Sequence, residues 1–420
     1  MNKALLAFSG GLDTTFCIPY LKDKGYKVVT MTVNTGGFSK DQLAEIAKKS
    51  QELGAVKHIT IDAQESLYNT FASYLIKANY LKGGVYPACV SPERNVIAME
   101  MAKAAEQENT KVIVHGSTGA GNDQVRFDVA LRALISDVTI LAPIRDDNLT
   151  REEEIKFLKK HGIDIKPSTN KYSINIGLLG TTIGGVETLD TEKELPDEAF
   201  PTVKSIDDAE KAPAILKIEF KDGLPVALNG EKMSGMEIIA ELNRVAGAHG
   251  FGRDYHLGTT IIGLKGRVGF EAPALKILVK AHTELEKIVL TSKQIFWKNT
   301  LGTVYGDMTH EGLYFDPLLR DIEAFLDSAS KFMDGEVGIK IHKGNLSITS
   351  LKSPYSLMHS KLGTYGEKTG AWSGIDAKGF CKLYGMESIN AFLLHNKKER
   401  SGKSILFPAR SFRLRNYKKS

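Results

Sequence analysis

The sequence predicts an α/β protein that begins with a doubly wound parallel sheet and continues into a second, α+β domain. Three observations carry this prediction. Apolar strand-like runs alternate with helical patterns up to His161. Two glycine-bearing loops each follow one of those apolar runs, and hairpin patterns replace the alternation further along the chain. The organisation is therefore that of an open sheet with a ligand-binding edge, joined to a differently built partner domain.

The first part contains five apolar runs of strand character: Ala4–Phe8, Val28–Val33, Val56–Ile61, Lys111–Val114 and Val138–Leu141. The helical patterns between and after them are Thr14–Lys24, Lys40–Leu53, Glu65–Asn79, Pro92–Gln107 and Arg151–His161. Because strands that alternate with helices form parallel sheets with helices on both faces, we expect a doubly wound sheet.

A domain boundary is expected near Gly162–Asn170, where a proline and polar residues follow a helix. The predicted domains are residues 1–166, 167–375 and 376–420 (the last a helical arm with a basic tail). The second domain has two predicted hairpins, Leu216–Phe220 with Leu224–Leu228 and Val337–Lys343 with Asn345–Leu351. Helical patterns cover Met236–Ala246, Pro273–Leu290 and the apolar run Met386–Leu394.

The most informative local pattern is the segment Ala7–Thr15, where two glycines stand between an apolar strand and a helix. Gly10 and Gly11 allow backbone conformations and a close approach that a side chain would block. The free N–H groups of the following helix then face an anion, and the helix dipole adds positive charge. Hydroxyl donors for phosphate oxygens are available on Ser9, Thr14 and Thr15. The alternative is an ordinary Gly-Gly turn.

The absence of a lysine directly after the glycines indicates the type of phosphate loop. The loop of kinases and GTPases reads Gly-x-x-x-x-Gly-Lys-Ser/Thr, and here no lysine follows the glycines until Lys22. The pattern is instead typical of ATP pyrophosphatases, which release pyrophosphate from ATP.

A second loop, His115–Phe127, follows the apolar run Lys111–Val114. Glycines alternate there with small polar residues, and Asn122, Asp123 and Arg126 come close together. Such a loop can offer backbone amides to an anion and polar side chains to a substrate. By itself it could be a surface loop capped by an Asn or Asp. Two such loops at strand ends of one sheet, however, predict a shared ligand site.

Composition sets outer limits on the function. Hydrophobic residues make up 42% and charged residues 25%, which is ordinary for a globular protein. No apolar stretch precedes the first strand, so we expect neither a secretory signal nor a membrane partner. Cys17, Cys89 and Cys381 are scattered and form no Cys-x-x-Cys pair, which predicts a cytoplasmic protein with no protein-built metal site.

The net charge of +5 is unevenly distributed. From Asn396 onward the tail carries nine Lys and Arg residues against one Glu, a charge of +8, which leaves −3 for the rest of the chain. A basic tail can bind RNA, but it is more often a solvated or partner-docking segment, and we expect no nucleic-acid partner.

Along nearly its whole length, up to about Gly379–Phe380, the chain resembles argininosuccinate synthase. The two loops carry the resemblance, together with shorter matches at Val245–Gly250, Ile262–Arg267 and Ser353–Leu357. The run Asn-Asp-Gln-Val-Arg-Phe is highly specific to that family. The phosphate loop alone would give only the wider superfamily, which includes asparagine synthetase and GMP synthetase.

The resemblance implies a reaction, cofactors and an assembly. Citrulline and aspartate are ligated with ATP to argininosuccinate, AMP and pyrophosphate through an adenylated ureido intermediate, a step of arginine biosynthesis. Mg²⁺ is expected with the nucleotide. A homotetramer is expected, with the Met386–Leu394 helix docking on a neighbouring subunit.

The resemblance also implies roles for individual residues. It assigns ATP binding to Ala7, Phe8, Ser9, Gly10, Gly11, Leu12, Asp13, Thr14, Thr15, Val33, His115 and Gly116. It assigns the aspartate substrate to Thr118, Asn122 and Asp123. It assigns citrulline to Tyr86, Ser91, Asn122, Arg126, Ser173 and Thr182. The residues expected to act in catalysis are Asp13, Asp123 and Arg126.

Several of these roles have plainer alternatives. Asp13 would lie near the metal or orient the loop, but an Asp there could simply cap the helix. Val33 is expected at the adenine, which is compatible with an ordinary core valine. Arg126 would reach citrulline, although an Arg on a helix is usually a solvated charge.

The chain departs from the family pattern on the citrulline side. Ala120 stands where the family usually has Lys, Gly258 where it has Glu, and Phe270 where it has Tyr. The usual Ser-x-Asp-x-Asn run reads Ser-Ile-Asn-Ile-Gly over residues 173–177. Two hypotheses follow. A nearby carboxylate substitutes (Asp254, Glu271 or Glu187), or the substrate is an N-acylated citrulline that lacks the ammonium charge.

Two further functions remain open from sequence. A tRNA-modifying pyrophosphatase could use the basic tail, but the chain lacks paired cysteines for sulfur transfer. A non-catalytic nucleotide-binding protein on a degenerate scaffold would account for the departures, since fold alone does not determine function.

Overall fold

The computed structural model describes residues 2–164, 171–359, 363, 365–367 and 370–400. The chain divides into two compact units, one up to Leu357 and one from Met358. Within the described residues, no helix is long and apolar enough to cross a membrane. The predicted boundary between residues 166 and 167 lies outside the described residues, and the predicted domain limits stay predictions.

A five-stranded parallel sheet forms the first part of the chain. Its strands are β1 (Lys3–Ala7), β2 (Lys27–Asn34), β3 (Lys57–Asp62), β4 (Val112–Val114) and β5 (Thr139–Leu141). They are arranged in the order β3-β2-β1-β4-β5, and every pairing is parallel. The strand order reverses between β1 and β4, which opens a crevice beyond their carboxyl ends. The predicted strands are confirmed with small shifts at their ends.

Helices cover both faces of this sheet. They are α1 (Leu12–Asp23), α2 (Lys40–Glu52), α3 (Gln64–Leu67), α4 (Ser73–Lys77), α5 (Ser91–Gln107), α6 (Asp123–Leu134), α7 (Pro143–Asp146) and α8 (Arg151–Lys160). A π-helical turn, Tyr68–Ala72, joins α3 to α4. Successive side chains of β1 pack into hydrophobic cores on opposite faces of the sheet, because side chains alternate across a strand. Ala4 and Leu6 pack with α1 and α8, whereas Leu5 packs with β2 and α5. The doubly wound fold class is confirmed.

Two antiparallel sheets follow. Their strands are β6 (Ser173–Gly177), β7 (Gly180–Gly184), β8 (Ala214–Lys221), β9 (Leu224–Leu228), β10 (Glu231–Lys232), β11 (Arg253–Thr259), β12 (Lys265–Glu271), β13 (Gly335–His342) and β14 (Asn345–Lys352). One sheet has the order β10-β9-β8-β13-β14 and contains both predicted hairpins. The other, β11-β12-β7-β6, was not predicted. Its strands are rich in glycine, which weakens the sequence pattern of a strand.

The remaining helices are α9 (Gly235–Ala248), α10 (Pro273–Val289), α11 (Ser292–Glu311), α12 (Pro317–Ser330), α13 (Gly374–Tyr384) and α14 (Met386–Arg400). The predictions for α9, α10 and α14 are confirmed. Helix α11 was not predicted, and it carries a residue of the site described next. Its apolar residues do not form a single stripe, so the helical period is hard to detect.

Candidate active site

The two glycine-bearing loops meet at the crevice between β1 and β4. A Cβ added to Gly116 would lie 3.1 Å from Thr14 Cγ2 and 3.2 Å from Asp13 Cβ, so the loops are in contact. Both line one cavity of about 1010 Å³. The two loops therefore meet at one cavity, as expected for a shared ligand site.

The phosphate loop has the backbone that its glycines predict. Gly10 has a φ of +76°, in the left-handed region that favours glycine. Gly11 is the N-cap of α1, and no described side chain caps the helix. The first-turn N–H groups are therefore available to an anion in the cavity. Lys49 of α2 donates from Nζ to the Gly10 carbonyl at 2.7 Å, a support that sequence reasoning missed because the two residues are 39 positions apart.

Most residues assigned to ATP line the cavity: Ala7, Phe8, Ser9, Gly11, Leu12, Asp13, Thr14, Val33, His115 and Gly116. Gly10 and Thr15 do not. The Thr15 side chain is fully buried, and its hydroxyl donates to the Gly10 carbonyl at 3.4 Å. Thr15 thus supports the loop from within, and this geometry does not support its predicted contact with phosphate.

Asp13 does not cap α1, because Gly11 occupies the N-cap, so the capping alternative is wrong. The Asp13 carboxyl lines the cavity and interacts with Glu154 of α8. Burial raises the pKa of Asp13, and burial together with Asp13 raises the pKa of Glu154 to about 7. Glu154 Oε2 is buried with no hydrogen-bond partner among the described residues. The sequence pattern does not predict this carboxyl pair, because Glu154 belongs to no motif and reaches the loop through the packing of α8 on α1.

Asp123 lies at the centre of a charged array. Its Oδ2 accepts a hydrogen bond from Arg94 Nε at 2.8 Å, and its Oδ1 accepts one from Arg126 Nη1 at 2.7 Å. Withdrawal from water would by itself raise the pKa of Asp123, but Arg94 and Arg126 lower it to about 2. Asp123 is therefore ionised at neutral pH. Arg126 is only 4% exposed, so the solvated-charge alternative is wrong.

His310 of α11 binds the guanidinium group of Arg126. Arg126 Nε donates to the His310 carbonyl at 2.8 Å, and His310 Nδ1 lies 3.1 Å from Ser91 Oγ. Burial, followed by the nearby Arg126 charge, lowers the pKa of His310 to about 2, so its ring is neutral. His310 lines the cavity, whereas Ser91 is fully buried and does not. The predicted contact of Ser91 with citrulline is thus not direct in this structure.

The other predicted substrate residues come together. Thr118, Asn122, Asp123, Arg126, Tyr86, Ser173 and Thr182 all line the cavity. Asn122 Oδ1 accepts a hydrogen bond from the Ile261 N–H at 2.9 Å, which ties the second loop to the β11–β12 hairpin. Phe270 is fully buried and packs edge-on against the ring of Tyr86 at 5.1 Å, so the missing phenol is replaced by an apolar contact.

A glutamate from α5 occupies the space in front of Gly177. A Cβ added to Gly177 would lie 1.6 Å from Glu93 Oε1, so a larger residue there would require the Glu93 side chain to move. Glu93 Oε2 accepts from Arg94 Nη1 at 3.3 Å, and Asn175 Oδ1 accepts from Arg94 Nη2 at 3.2 Å. A carboxyl group from a different element thus lies beside the position where the family run has an aspartate. Burial raises the pKa of Glu93 to about 8.

The three carboxylates proposed as substitutes are engaged elsewhere. Glu271 Oε1 accepts from the Val203 N–H at 2.8 Å. Asp254 pairs with Lys276 at 3.1 Å, and Glu187 pairs with Lys171 at 2.8 Å. None of the three lines the cavity. The hypothesis that one of them replaces the missing acid is therefore wrong.

The fold and the cavity define a class of protein. A phosphate loop at the strand-order reversal of a parallel sheet shares its cavity with an arginine–carboxylate array, as in an α/β enzyme that places ATP beside a charged small substrate. The family model described as the Arginosuccinate synthase N-terminal HUP domain matches residues 3–164, and the one described as the C-terminal domain matches residues 172–391. The chain belongs to the argininosuccinate synthase family.

Relatives support this membership over nearly the full length. The argininosuccinate synthase of Pyrococcus furiosus is 40% identical over 395 residues, which cover 94% of this chain and 95% of the relative. That of Xanthomonas campestris is 40% identical over 389 residues, covering 91% and 96%. The predicted family is confirmed. The matches favour neither a tRNA-modifying enzyme nor an N-acylated citrulline as substrate.

Proposed function

We propose that this chain ligates citrulline and aspartate to argininosuccinate, with ATP converted to AMP and pyrophosphate, as a step of arginine biosynthesis. One observation carries the proposal: in a member of this family, the phosphate loop and the Asp123 array line one cavity. The nucleotide and an ionic substrate can therefore react without leaving the site.

The chemistry requires positioning rather than a protein nucleophile. The ureido oxygen of citrulline attacks the α-phosphorus of ATP, and pyrophosphate leaves. The aspartate amine, after losing a proton, then attacks the ureido carbon, and AMP departs with the oxygen. Holding the reacting groups together and stabilising their charge supplies the rate enhancement.

Individual residues have distinct parts in this scheme. The first-turn N–H groups of α1 and the Thr14 hydroxyl bind the phosphates. The ionised Asp123 attracts the ammonium group of the substrate aspartate. Arg94 and Arg126 hold the Asp123 carboxylate in place. Arg126, kept rigid by His310, also presents its guanidinium to citrulline.

Mg²⁺ is the cation expected with the nucleotide. The Asp13 carboxyl lines the cavity, and the unpartnered Glu154 Oε2 lies behind it; such oxygens are ligands that Mg²⁺ prefers. Among the described residues there is no group of three or more His, Cys, Asp or Glu side chains that could hold a metal ion by themselves. Asp13 and the phosphates would therefore hold the cation jointly, and when bound it neutralises charge on pyrophosphate.

Pyrophosphate release tests the function directly. With ATP, aspartate and citrulline present, we expect release that stops when either amino acid is omitted. Pyrophosphate release that continues without citrulline and aspartate would contradict the proposal. N-acetylcitrulline and N-succinylcitrulline, tested in parallel, separate free from acylated substrate, and we expect turnover of free citrulline.

Assembly and location complete the proposal. Helices α13 and α14 expose many apolar side chains, among them Phe380, Leu383 and Leu393, in keeping with a homotetramer in which this segment contacts another subunit. Light scattering coupled to size-exclusion chromatography would measure the subunit number. We also propose a cytoplasmic location, which cell fractionation would test.

A further inference from the structure

The cavity wall at Gly258 lacks a side chain of its own, yet the space in front of it is filled. A Cβ added to Gly258 would lie 2.7 Å from His256 Nε2 and 3.1 Å from His256 Cε1. Both residues are in β11 and both line the cavity. The imidazole of His256 therefore occupies the position from which a side chain at 258 would contact a ligand.

Neighbouring groups hold the His256 ring in this position. It stacks on the ring of Tyr86, with centroids 5.2 Å apart and an interplanar angle of 18°. Gly83 lies on another side, where an added Cβ would be 3.7 Å from His256 Cε1. No hydrogen bond joins either ring nitrogen to another residue of the described part of the chain. A positioned ring with free nitrogens in a cavity wall is suited to contact a ligand.

The His256 ring is an acceptor at neutral pH. Burial, followed by the charge of Lys82, lowers the pKa of His256, so the imidazole is neutral. One nitrogen of a neutral imidazole carries a lone pair. That nitrogen can accept a hydrogen bond from an ammonium group, whereas a charged imidazolium would repel it.

The cavity's layout indicates which end of the substrate lies here. The ureido group must be near the phosphate loop, because it reacts at the α-phosphorus. The carboxylate of citrulline has a cationic partner in Arg126, whose Nη2 lies 3.4 Å from His310 Nε2. The His310 ring in turn meets that of Tyr86 edge-on at 6.1 Å. An amino group on the carbon next to the carboxylate would therefore face Tyr86 and the ring stacked on it.

We propose that His256 determines specificity for the amino-acid end of the ureido substrate, with its Nε2 accepting a hydrogen bond from the α-amino group. This inference rests on the proposed function. It explains how a cavity without an acid at 258, and without help from Asp254, Glu187 or Glu271, still recognises free citrulline.

Comparing citrulline with its des-amino analogue, 5-ureidopentanoate, measures this contact. The readout is the ratio of their kcat/KM values in the pyrophosphate-release assay. We expect the wild-type enzyme to prefer citrulline roughly 10- to 100-fold, as a hydrogen bond to a charged group implies. In His256→Ala the ratio should fall to near unity, with the KM for aspartate unchanged. His256→Gln should keep part of it, because its amide oxygen can still accept.

Two further variants separate recognition from a folding defect. Gly258→Ala keeps His256 but displaces its ring, and it should reduce the ratio as well. The double variant His256→Ala/Gly258→Glu should regain it, since the space vacated by the ring then holds a carboxylate. His342→Ala, whose histidine is in β13 away from the cavity, is the matched control and should leave the ratio unchanged.

The outcomes divide clearly. If folded His256→Ala discriminates as well as the wild type, His256 does not contact the amino group and the inference is overturned. A wild-type enzyme that releases no pyrophosphate with citrulline instead refutes the proposed function, and this inference fails with it. A ratio near unity already in the wild type keeps the function and overturns the inference alone.

Discussion

The phosphate-loop side and the citrulline side of the cavity differ in how their sequence relates to their structure. The first is one continuous segment whose glycines produce the expected backbone, including the φ of +76° at Gly10. The second is assembled from β6, β11, α5 and α11. There the spaces in front of Gly177 and Gly258 are filled by Glu93 and His256. A backbone motif lies within one short segment of sequence. A side-chain pocket instead depends on which elements, distant in sequence, come into contact in the fold.

On the citrulline side of the cavity, we expect Gly177→Asn to have the largest effect on stability. Its Cβ would lie 1.6 Å from Glu93 Oε1, so the buried Glu93 side chain would have to move, and we expect a destabilisation of roughly 1–3 kcal/mol. Thermal unfolding measures this. Gly162→Asn is the control, since nothing lies within 4 Å of an added Cβ there and Asn tolerates its positive φ. Recovery of stability in Glu93→Ala/Gly177→Asn is expected, and its absence would show that Glu93 is not the obstacle.

Asp123→Asn tests the charged array that joins the two sides. Arg94 and Arg126 would lose their shared anion, and the ammonium group of aspartate would lose its partner. We expect kcat/KM for aspartate to fall roughly 100-fold. The control is Asp137→Asn, whose side chain is 91% exposed and pairs with Lys111 at 3.6 Å. Equal activity of the two variants would remove Asp123 from the proposed mechanism.

Glu93→Gln should change how stability depends on pH. Burial raises the pKa of Glu93 from 4.5 to about 8, so the folded state holds a proton that the unfolded state releases. Wild-type stability therefore falls as pH rises between those values. Relative to Glu93→Gln, we expect the wild type to lose about 2 kcal/mol between pH 6 and pH 8. Parallel curves from denaturant titrations would mean that Glu93 is already ionised in the fold.

Thr14→Val and Thr15→Val compare two adjacent hydroxyls on the phosphate-loop side of the cavity. Thr14 lines the cavity, and Thr15 donates inward to the Gly10 carbonyl. We expect the KM for ATP to rise about tenfold in Thr14→Val through loss of one hydrogen bond to a charged phosphate. Thr15→Val should lower the unfolding temperature with little change in that KM. The reverse pattern would mean that the loop rearranges when ATP binds.

Sequence reasoning predicted the loops, their contact and most of the cavity-lining residues, because strand–loop–helix units place their ligands by rule. It missed Glu154, Lys49 and His310, which carry no motif and reach the site only by packing. It also placed Thr15 and Ser91 at the ligand, although both hydroxyls face inward. The direction of a side chain within a correctly predicted segment depends on neighbours that the local pattern does not contain.

The amino-acid order alone determined the parallel sheet, the phosphate loop and the family, since periodicity, glycine positions and short motifs are local properties of the chain. Only the tertiary structure decided which side chains fill the spaces before Gly177 and Gly258. That choice depends on through-space proximity between elements as distant as α5 and β6, where Glu93 meets Gly177. Because the interior is closely packed, one side chain fills each of these spaces. Which side chain does so is visible only in the folded structure.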